Sequence, residues 1–181
     1  MIWIAVAYLC GSIPFGLIIA RAASGKDVRT VGSGNIGATN VARAAGRPAA
    51  IATLALDAVK GLAPVLLAPR EFAPACAVAA VLGHCFPVWL RFRGGKGVAT
   101  GLGVSLALAP WAAVAGGVTW VVLYKILKIS SVGSLAGVAV SLAVAAFTAE
   151  RPALYGLAAV SAVILLRHSG NIRRLLRKQE S

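Results

Sequence analysis

The stretch MIWIAVAYLCGSIPFGLIIA, residues 1–20, contains no charged side chain. A transmembrane helix needs about 20 mostly apolar residues, so this stretch is long enough to cross a bilayer. It lacks the basic residues with which a cleaved signal peptide begins, and we therefore interpret it as a first membrane span. The whole chain has the same character, since 59% of its 181 residues are hydrophobic, 13% are charged and the mean hydropathy is +0.85. This composition lies outside the range of soluble domains and predicts a single integral membrane domain over residues 1–181.

Further apolar runs of similar length predict an all-α membrane protein with about seven transmembrane helices. The fourth run is short, and it is expected either to begin in the membrane interface or to share an uncharged turn at Pro110 with the fifth. The seven predicted spans cover residues 2–20, 49–68, 72–90, 98–109, 111–126, 132–148 and 153–166.

The basic residues between these spans indicate their orientation. Of the 18 lysines and arginines, all but three fall in segments that would share one side of the membrane, whereas Arg70 and Arg151 fall on the other side. The positive-inside rule therefore predicts an outside N-terminus and a cytoplasmic C-terminus. The remaining basic residue, Lys60, lies inside the second span three residues after Asp57. A charged pair at this depth is either a structural ion pair or part of a binding cavity.

The charge balance restricts the possible partners. With 18 lysines and arginines against five aspartates and glutamates, the chain has a basic surface that requires an anionic partner. In a membrane protein we expect lipid headgroups or a phosphorylated metabolite and no nucleic acid. The three cysteines lie in apolar runs without metal-binding or redox spacing, so neither a disulfide nor a metal site is expected.

The segment GSGNIGATNVAR, residues 32–43, is the first polar segment after the first span. Its glycines allow successive backbone N–H groups to turn toward an anion, and its small hydroxyl and amide side chains add hydrogen-bond donors. Arg43 supplies a planar guanidinium suited to two phosphate oxygens, and the segment contains no acid to repel them. These features predict a cytoplasmic phosphate site. A flexible polar loop is the alternative interpretation.

The sequence GGKG, residues 94–97, occurs in a second polar segment and precedes a predicted helix. A glycine-rich turn before a helix N-terminus favours an anion. The pattern is not that of a Walker A loop, because Gly97 stands where a serine or threonine would follow the lysine. The alternative is that Lys96 and the neighbouring arginines are ordinary membrane anchors on the cytoplasmic side.

Two further segments carry polar residues on the same predicted side. The glycines and serines of SSVGSLAG, residues 130–137, are typical of close helix packing, and by themselves they are weak evidence for chemistry. The tail RHSGNIRRLLRKQES, residues 167–181, places His168 and Asn171 before a basic amphipathic stretch expected at the membrane surface. Together, the polar segments suit a site for two phosphate groups that is open sideways to lipid.

Several motifs in the same order resemble the bacterial PlsY-type glycerol-3-phosphate acyltransferases, which use acyl phosphate as donor. The motifs are GSIPFG (11–16), GSGNIGATNVAR, LDAVKG (56–61), GHCFPVWLRFRGGKGVATG (83–101), SVGS (131–134) and RHxxNIRRL (167–175). The resemblance implies a seven-span bacterial inner-membrane enzyme that forms 1-acyl-glycerol-3-phosphate at a cytoplasmic site. Two departures occur in the tail. Ser169 replaces a common arginine, and the usual glycine before the final glutamate, Glu180, is absent.

The residues and the resemblance together predict two groups of site residues. Polar residues of the first segment, with Lys96, are expected to hold the phosphate of glycerol 3-phosphate, and the resemblance places the acyl phosphate near the second segment and the tail. The expected catalytic residues are Lys96, Ser134, His168 and Asn171. The expected substrate-binding residues are Ser33, Gly34, Asn35, Thr39, Asn40, Arg43, Arg47, Gly94, Gly95, Gly97 and Ser131.

The predicted reaction needs no cofactor or metal and no covalent acyl-enzyme. Many acyltransferases that use thioesters carry a His-x4-Asp pair, but Trp89 lies five residues after His84 and Arg173 five residues after His168. An acyl phosphate is already activated, so positioning can supply most of the rate acceleration. The proton of the attacking hydroxyl passes either to His168, which could instead polarise the carbonyl, or to the donor phosphate.

Two other classes remain as alternatives, namely a transporter or exchanger of phosphorylated metabolites and a lipid-binding scaffold. Transporters often contain inverted repeats, and although GNIGATN and GKGVATG are faintly alike, no matching pair of spans surrounds them. A scaffold would need the basic face but not the glycine-rich loops. We predict an enzyme that acts as a monomer among membrane lipids.

Overall fold

The computed structural model describes residues 1–180, which fold into nine α-helices joined by short turns, with no β-strand among those residues. The helices are α1 (Ile2–Gly11), α2 (Phe15–Ser24), α3 (Ala38–Leu67), α4 (Ala73–Cys85), α5 (Val98–Leu108), α6 (Pro110–Leu127), α7 (Ser130–Thr148), α8 (Arg151–Arg167) and α9 (Ser169–Leu176). Single-turn 3-10 helices occupy Val28–Thr30 and Val88–Leu90. The predicted all-helical class is confirmed.

Five helical stretches are long and apolar enough to cross a membrane. They are Ile2–Ser24, Ala38–Leu67, Ala73–Leu90, Pro110–Leu127 and Ser130–Thr148. The pair α8 and α9, bent by 55°, makes a sixth if it counts as one span, and α5 is a shorter apolar helix. The protein is therefore an integral membrane protein, while the count of seven spans and their orientation stay predictions.

The first predicted span, residues 2–20, consists of two helices rather than one. Pro14 has no backbone N–H and disfavours helical geometry at Ile13, so α1 ends at Gly11 and α2 begins at Phe15. The Ile13 carbonyl at this break accepts a hydrogen bond of 2.7 Å from Lys60 Nζ. A lysine of another helix therefore stabilises the break.

The second predicted span, residues 49–68, is the C-terminal part of a longer helix. Because α3 begins at Ala38, residues 38–43 are helical, whereas the sequence suggested a loop. Gly46 interrupts α3 with φ 84° and ψ 175°, a conformation that glycine adopts more easily than other residues. This kink separates the polar first turns of α3 from its apolar remainder.

The third predicted span, residues 72–90, agrees with the candidate span Ala73–Leu90, but only its first part is α-helical. Helix α4 ends at Cys85, and Pro87 precedes the short 3-10 turn that follows. The chain then makes the Gly94–Lys96 turn and enters α5 through Gly97, whose φ of 86° favours glycine. The four remaining spans agree with prediction within two residues at each end, and α5 and α6 share the expected turn, with Ala109 between them and Pro110 as the first residue of α6.

Small residues allow the helices to approach closely. A Cβ on Gly11 of α1 would lie 2.0 Å from the Ala80 carbonyl of α4, and a Cβ on Gly103 of α5 would lie 1.9 Å from the Ala58 carbonyl of α3. Gly137 of α7 would similarly meet the Gly116 carbonyl at 2.7 Å, so this glycine of SSVGSLAG serves helix packing, as one interpretation predicted. Large apolar side chains such as Phe147 (91% exposed) point outward, as a lipid-facing surface requires.

Candidate active site

Asn40 organises the first polar segment from the start of α3. Its side chain is 2% exposed, and its Nδ2 lies 2.9 Å from the carbonyl oxygens of Val28, Val31 and Asn35. Its Oδ1 accepts a hydrogen bond of 3.2 Å from the Ser33 N–H. The amide of Asn40 is thus engaged with the loop backbone, which indicates a positioning role rather than direct contact with an anion.

Two backbone N–H groups of this segment, which the sequence suggested would turn toward an anion, are instead hydrogen-bonded within the protein. The Ser33 N–H is bound by Asn40, and the Gly34 N–H donates to the Val31 carbonyl at 3.0 Å. The Ser33 side chain is exposed at the loop surface. Ser33 and Gly34 therefore do not offer their N–H groups to an anion, whereas the side chains of the segment and the first amides of α3 lie where the helix dipole favours one.

A cavity of about 250 Å³ opens beside the first turns of α3. Thr39 contributes its hydroxyl, which shares a hydrogen bond of 3.0 Å with the Ser130 hydroxyl at the start of α7. Arg43 and Arg47 line the same cavity, so three predicted binding residues come together here. The cavity is lined by Thr39, Ala42, Arg43, Arg47, Tyr124, Lys128 and Ser130.

The turn formed by Gly94 and Gly95 is held by hydrogen bonds on both sides. The N–H groups of Gly94 and Gly95 each donate at 3.1 Å to the last carbonyls of α4, those of Cys85 and His84. Arg167 donates from Nε to the Gly95 carbonyl at 3.1 Å and from a terminal nitrogen to the Gly94 carbonyl at 3.0 Å. The two glycines therefore shape the turn, and their own N–H groups are already occupied.

Lys96 leaves this turn toward the other polar segments. Burial lowers the pKa of its ammonium, Glu180 raises it, and the nearby charges of Arg174, Arg167 and Arg43 lower it further, so that the pKa lies below the ordinary lysine value. These groups come from the first polar segment, α8, α9 and the tail, so Lys96 lies within electrostatic range of all of them. A site with this many cations and one carboxylate is suited to an anionic ligand.

His168 lies at the bend between α8 and α9, and its side chain is 2% exposed. Its Nδ1 lies 2.8 Å from the Ile164 carbonyl, which can only accept, so Nδ1 carries the hydrogen. In the neutral ring Nε2 then has the lone pair and acts as an acceptor. Ser134, also buried, donates to the Ser130 carbonyl at 2.9 Å within α7.

Glu180 places a carboxylate in the same site. Its side chain is 7% exposed and accepts hydrogen bonds from Ser131 Oγ at 2.8 Å, from Arg174 Nε at 2.6 Å and from Asn171 Nδ2. Desolvation raises the pKa of Glu180, but the hydrogen bonds from Asn171, Arg174 and Ser131 outweigh it and lower the pKa below the usual value. The tail therefore docks onto α7 and α9 although the glycine expected before Glu180 is absent.

Asp27, the other acid of the predicted cytoplasmic segments, is engaged elsewhere. It pairs with Arg29 at 2.6 Å and with Arg21 at 2.8 Å. The hydrogen bond from Arg29 is the main reason that the pKa of this carboxyl lies well below its usual range. A carboxylate so strongly held in its ionised form is a poor proton acceptor.

The Asp57–Lys60 pair is a buried ion pair, with Lys60 Nζ 2.8 Å from Asp57 Oδ1. His84 of α4 joins it, because His84 Nδ1 lies 3.8 Å from the same carboxylate oxygen. The sequence left open whether this pair was structural or lined a cavity. The ion pair is observed, and Lys60 also borders an apolar groove of about 240 Å³ between α1 and α3, while a binding role for this groove stays a prediction.

Sequence reasoning missed several residues of the site. The sequence does not mark Arg167, His84 or Glu180 as residues of the site. Their contacts cross between segments far apart in the chain, so no local pattern indicates them. Ser130 and Lys128 were missed because they resemble an ordinary helix start and an ordinary membrane anchor. Among residues 1–180, no three His, Cys, Asp or Glu side chains form a metal-binding group.

The fold and this site define a class, that of integral membrane proteins whose polar loops gather cations, amides and hydroxyls into one site. Over residues 1–178 the chain matches the family model described as glycerol-3-phosphate acyltransferase. It is 53% identical over 188 residues to the glycerol-3-phosphate acyltransferase of Anaeromyxobacter dehalogenans strain 2CP-C, with 98% of this chain and 94% of the relative covered. It is 50% identical to that of Myxococcus xanthus strain DK1622, with 97% and 95% covered.

Solved structures agree with the sequence relatives. The crystal structure of PlsY (YgiH), an integral membrane glycerol 3-phosphate acyltransferase, in its glycerol 3-phosphate form matches with a TM-score of 0.93 and 37% identity over 99% of this chain and 93% of that one. The lysophosphatidic acid form matches with a TM-score of 0.88 and 34% identity over the same shares. The chain therefore belongs to the glycerol-3-phosphate acyltransferase family, and the resemblance inferred from the motifs is confirmed.

Proposed function

We propose that this protein transfers a fatty acyl group from acyl phosphate to the sn-1 hydroxyl of glycerol 3-phosphate and so forms lysophosphatidic acid for phospholipid synthesis. The observation that carries the proposal is that Arg167 of α8 holds the turn from which Lys96 projects, within electrostatic range of Arg43 and Arg174. A single site in a membrane-embedded helical protein thus offers cationic and polar groups to two phosphates. Support for the substrate comes from the PlsY structures in glycerol 3-phosphate and lysophosphatidic acid forms.

The cavity at the start of α3 is the proposed site for glycerol 3-phosphate. Thr39, Arg43 and Arg47 line it, and Lys96 lies within electrostatic range of Arg43. A guanidinium binds phosphate through two parallel hydrogen bonds, and the first turn of a helix adds a favourable dipole. Ser33, Gly34, Asn35 and Asn40 contribute the loop that fixes the start of α3.

The proposed donor site lies where the Gly94–Lys96 turn meets α7 and α9. Lys96 is the cation for the donor phosphate, and Gly94, Gly95 and Gly97 allow the turn before α5 to pack closely against α4. Ser131 and Asn171 are held in place by Glu180. Ser134 and His168 complete the buried wall. The acyl chain would extend between helices among apolar side chains, with entry from the lipid.

The proposed reaction proceeds in one displacement without an acyl-enzyme. The sn-1 hydroxyl oxygen attacks the acyl carbonyl carbon, the bond from that carbon to the phosphate oxygen breaks, and phosphate leaves with the electron pair. Nε2 of His168 accepts the hydroxyl proton and returns it to the departing phosphate, as its lone pair allows. Lys96 balances charge on the phosphate, and orientation of two bound substrates contributes on the order of 7 to 11 kcal/mol.

The proposed setting is the bacterial inner membrane, with an outside N-terminus, seven spans and a site that faces the cytoplasm. The concentration of basic residues on one predicted side supports this orientation. The protein is proposed to act as a monomer, since the site is assembled from the helices of a single chain.

Transfer can be distinguished from transport in reconstituted vesicles. With labelled glycerol 3-phosphate outside and acyl phosphate in the membrane, we expect label in membrane lysophosphatidic acid and no accumulation of soluble label in the lumen. Vesicles with the Lys96→Ala variant serve as the control for leakage. Uptake of soluble label without lipid product would instead identify a transporter.

Arg43→Ala and Lys96→Ala are each expected to lower kcat/KM by at least about tenfold, because loss of a charge-assisted hydrogen bond costs about 1.5 to 3 kcal/mol. Arg93→Ala is the matched control, since Arg93 is an exposed cation on the loop of Lys96 outside the cavity. It should retain activity within about twofold, as surface charges contribute little. Initial rates of purified, folded variants test this, and wild-type rates for either site variant would remove that residue from the site.

A further inference from the structure

His84 is the buried neighbour of the Gly94–Lys96 turn. His84 is 3% exposed. Its ring lies directly against Gly95, because a Cβ added to Gly95 would be 2.1 Å from His84 Nε2. Gly94 is confined differently, because its added Cβ would be 2.2 Å from the backbone carbonyl oxygen of His84 and 2.4 Å from Pro87 Cδ. Gly95 therefore lacks room for a side chain chiefly because the imidazole fills the space.

The opposite edge of the imidazole faces the buried ion pair. His84 Nδ1 lies 3.8 Å from Asp57 Oδ1, and Lys60 Nζ lies 2.8 Å from the same oxygen. Lys60 also donates to the Ile13 carbonyl at the break between α1 and α2. The ring thus lies between the glycine turn and a buried ion pair of α3 that is itself tied to the break between α1 and α2.

Arg167 holds the turn from its other side through the carbonyls of Gly94 and Gly95. A turn clamped between Arg167 and the His84 ring has little freedom to shift. Lys96 is the next residue, so the location of Gly95 determines where the Lys96 side chain begins. A displacement of about 1 Å in a positioned group can cost about 100-fold in rate.

We propose that His84, supported by the Asp57–Lys60 ion pair, is a positioning residue whose ring sets the location of Gly95 and thereby places the Lys96 ammonium at the substrate phosphate. The proposal rests on the proposed role of Lys96 in phosphate binding. The ring itself contacts the turn and not the substrate.

A suppression experiment tests the contact between the ring and Gly95. Gly95→Ala should lower kcat/KM by about 10- to 100-fold in the wild-type background, because the added methyl displaces the turn. In the His84→Ala background the space is open, so the same change should cost less than about threefold. An equal cost in both backgrounds would overturn the proposal.

Gly94→Ala is the matched control for this suppression. Its methyl group meets the backbone of His84, which the His84→Ala change leaves in place, so its cost should be the same in both backgrounds. If His84→Ala relieved both glycine variants equally, the effect would be a general loosening and the proposal would fail. His84→Asn, which keeps an amide toward Asp57 but lacks the ring atoms beside Gly95, should show the same suppression and is the second background if His84→Ala does not fold.

A second cycle tests whether His84 acts through Lys96. His84→Ala should lower kcat/KM by about tenfold with Lys96 present and by less than about twofold in the Lys96→Ala background. A purely structural role would give the same factor in both and would overturn the positioning role. If Lys96→Ala itself has no effect, the proposed function of Lys96 has failed. The support of the turn by His84 is then tested by a measurement that does not depend on activity.

Amide hydrogen exchange measures the stability of the turn directly. In His84→Ala, a peptide covering residues 91–98 should exchange about tenfold faster than in the wild type, while peptides of α6 and α7 remain unchanged. Unchanged exchange at the turn would overturn the proposed support by His84 whether or not the protein is an active transferase.

Discussion

Purified protein should form lysophosphatidic acid from glycerol 3-phosphate and acyl phosphate in the presence of a metal chelator, and at least about 10³-fold less with acyl-CoA as donor. The physical reason is that an acyl phosphate is a mixed anhydride with a good leaving group. A thioester requires stronger help from an acid and base pair, and the Nδ1 partner of His168 is a backbone carbonyl rather than a carboxylate. Initial rates with both donors at matched chain length measure the ratio.

The donor experiment needs a control for copurifying enzymes. Lys96→Ala protein prepared in the same way should lose the acyl-phosphate rate by at least about tenfold while any contaminating acyl-CoA activity stays constant. Robust transfer from acyl-CoA that also depends on Lys96 would contradict the proposed donor.

Replacement of His168 is expected to have the second large effect. If Nε2 accepts the hydroxyl proton, His168→Ala should lower kcat by about 10²- to 10⁴-fold. His168→Asn is the matched variant, because its amide can still donate to the Ile164 carbonyl but cannot act as a base. Both variants should therefore lose activity, whereas a role limited to the Ile164 hydrogen bond would leave His168→Asn active.

The pH dependence of the rate separates the two possible proton acceptors. A histidine base is active when neutral, and burial lowers the pKa of His168. The wild-type rate should therefore fall as the pH drops through a pKa below the usual histidine value of about 6.5. This limb should disappear in His168→Ala. A loss of less than about tenfold, together with an unchanged limb, would assign the proton to the donor phosphate instead.

The site was predictable to the extent that its chemistry is local. Lys96 stands out because a glycine-rich turn with a cation precedes a helix, and Arg43 because it follows small polar residues without an acid. Arg167 was harder to predict from the sequence, because a basic residue after a span is normally a membrane anchor. Its hydrogen bonds to the Gly94 and Gly95 carbonyls join segments more than 70 residues apart.

Asn40 illustrates a second limit. Its residue type suits both phosphate binding and loop capping, and the sequence does not distinguish them. Only the folded chain brings Val28, Val31 and Asn35 around one amide. Side chains near a glycine-rich loop can thus stabilise the loop rather than contact its ligand.

The sequence by itself determined the membrane environment, the helical class and the family of this protein, because hydropathy, span length and contiguous motifs are properties of neighbouring residues. The tertiary structure alone decided which distant group stabilises a helix break, with Lys60 donating to the Ile13 carbonyl. It also decided which polar groups meet, including His84 against Gly95 and Glu180 with Ser131 and Asn171. The sequence does not predict these contacts, because they join residues of distant segments and their distances depend on the whole fold rather than on any local pattern.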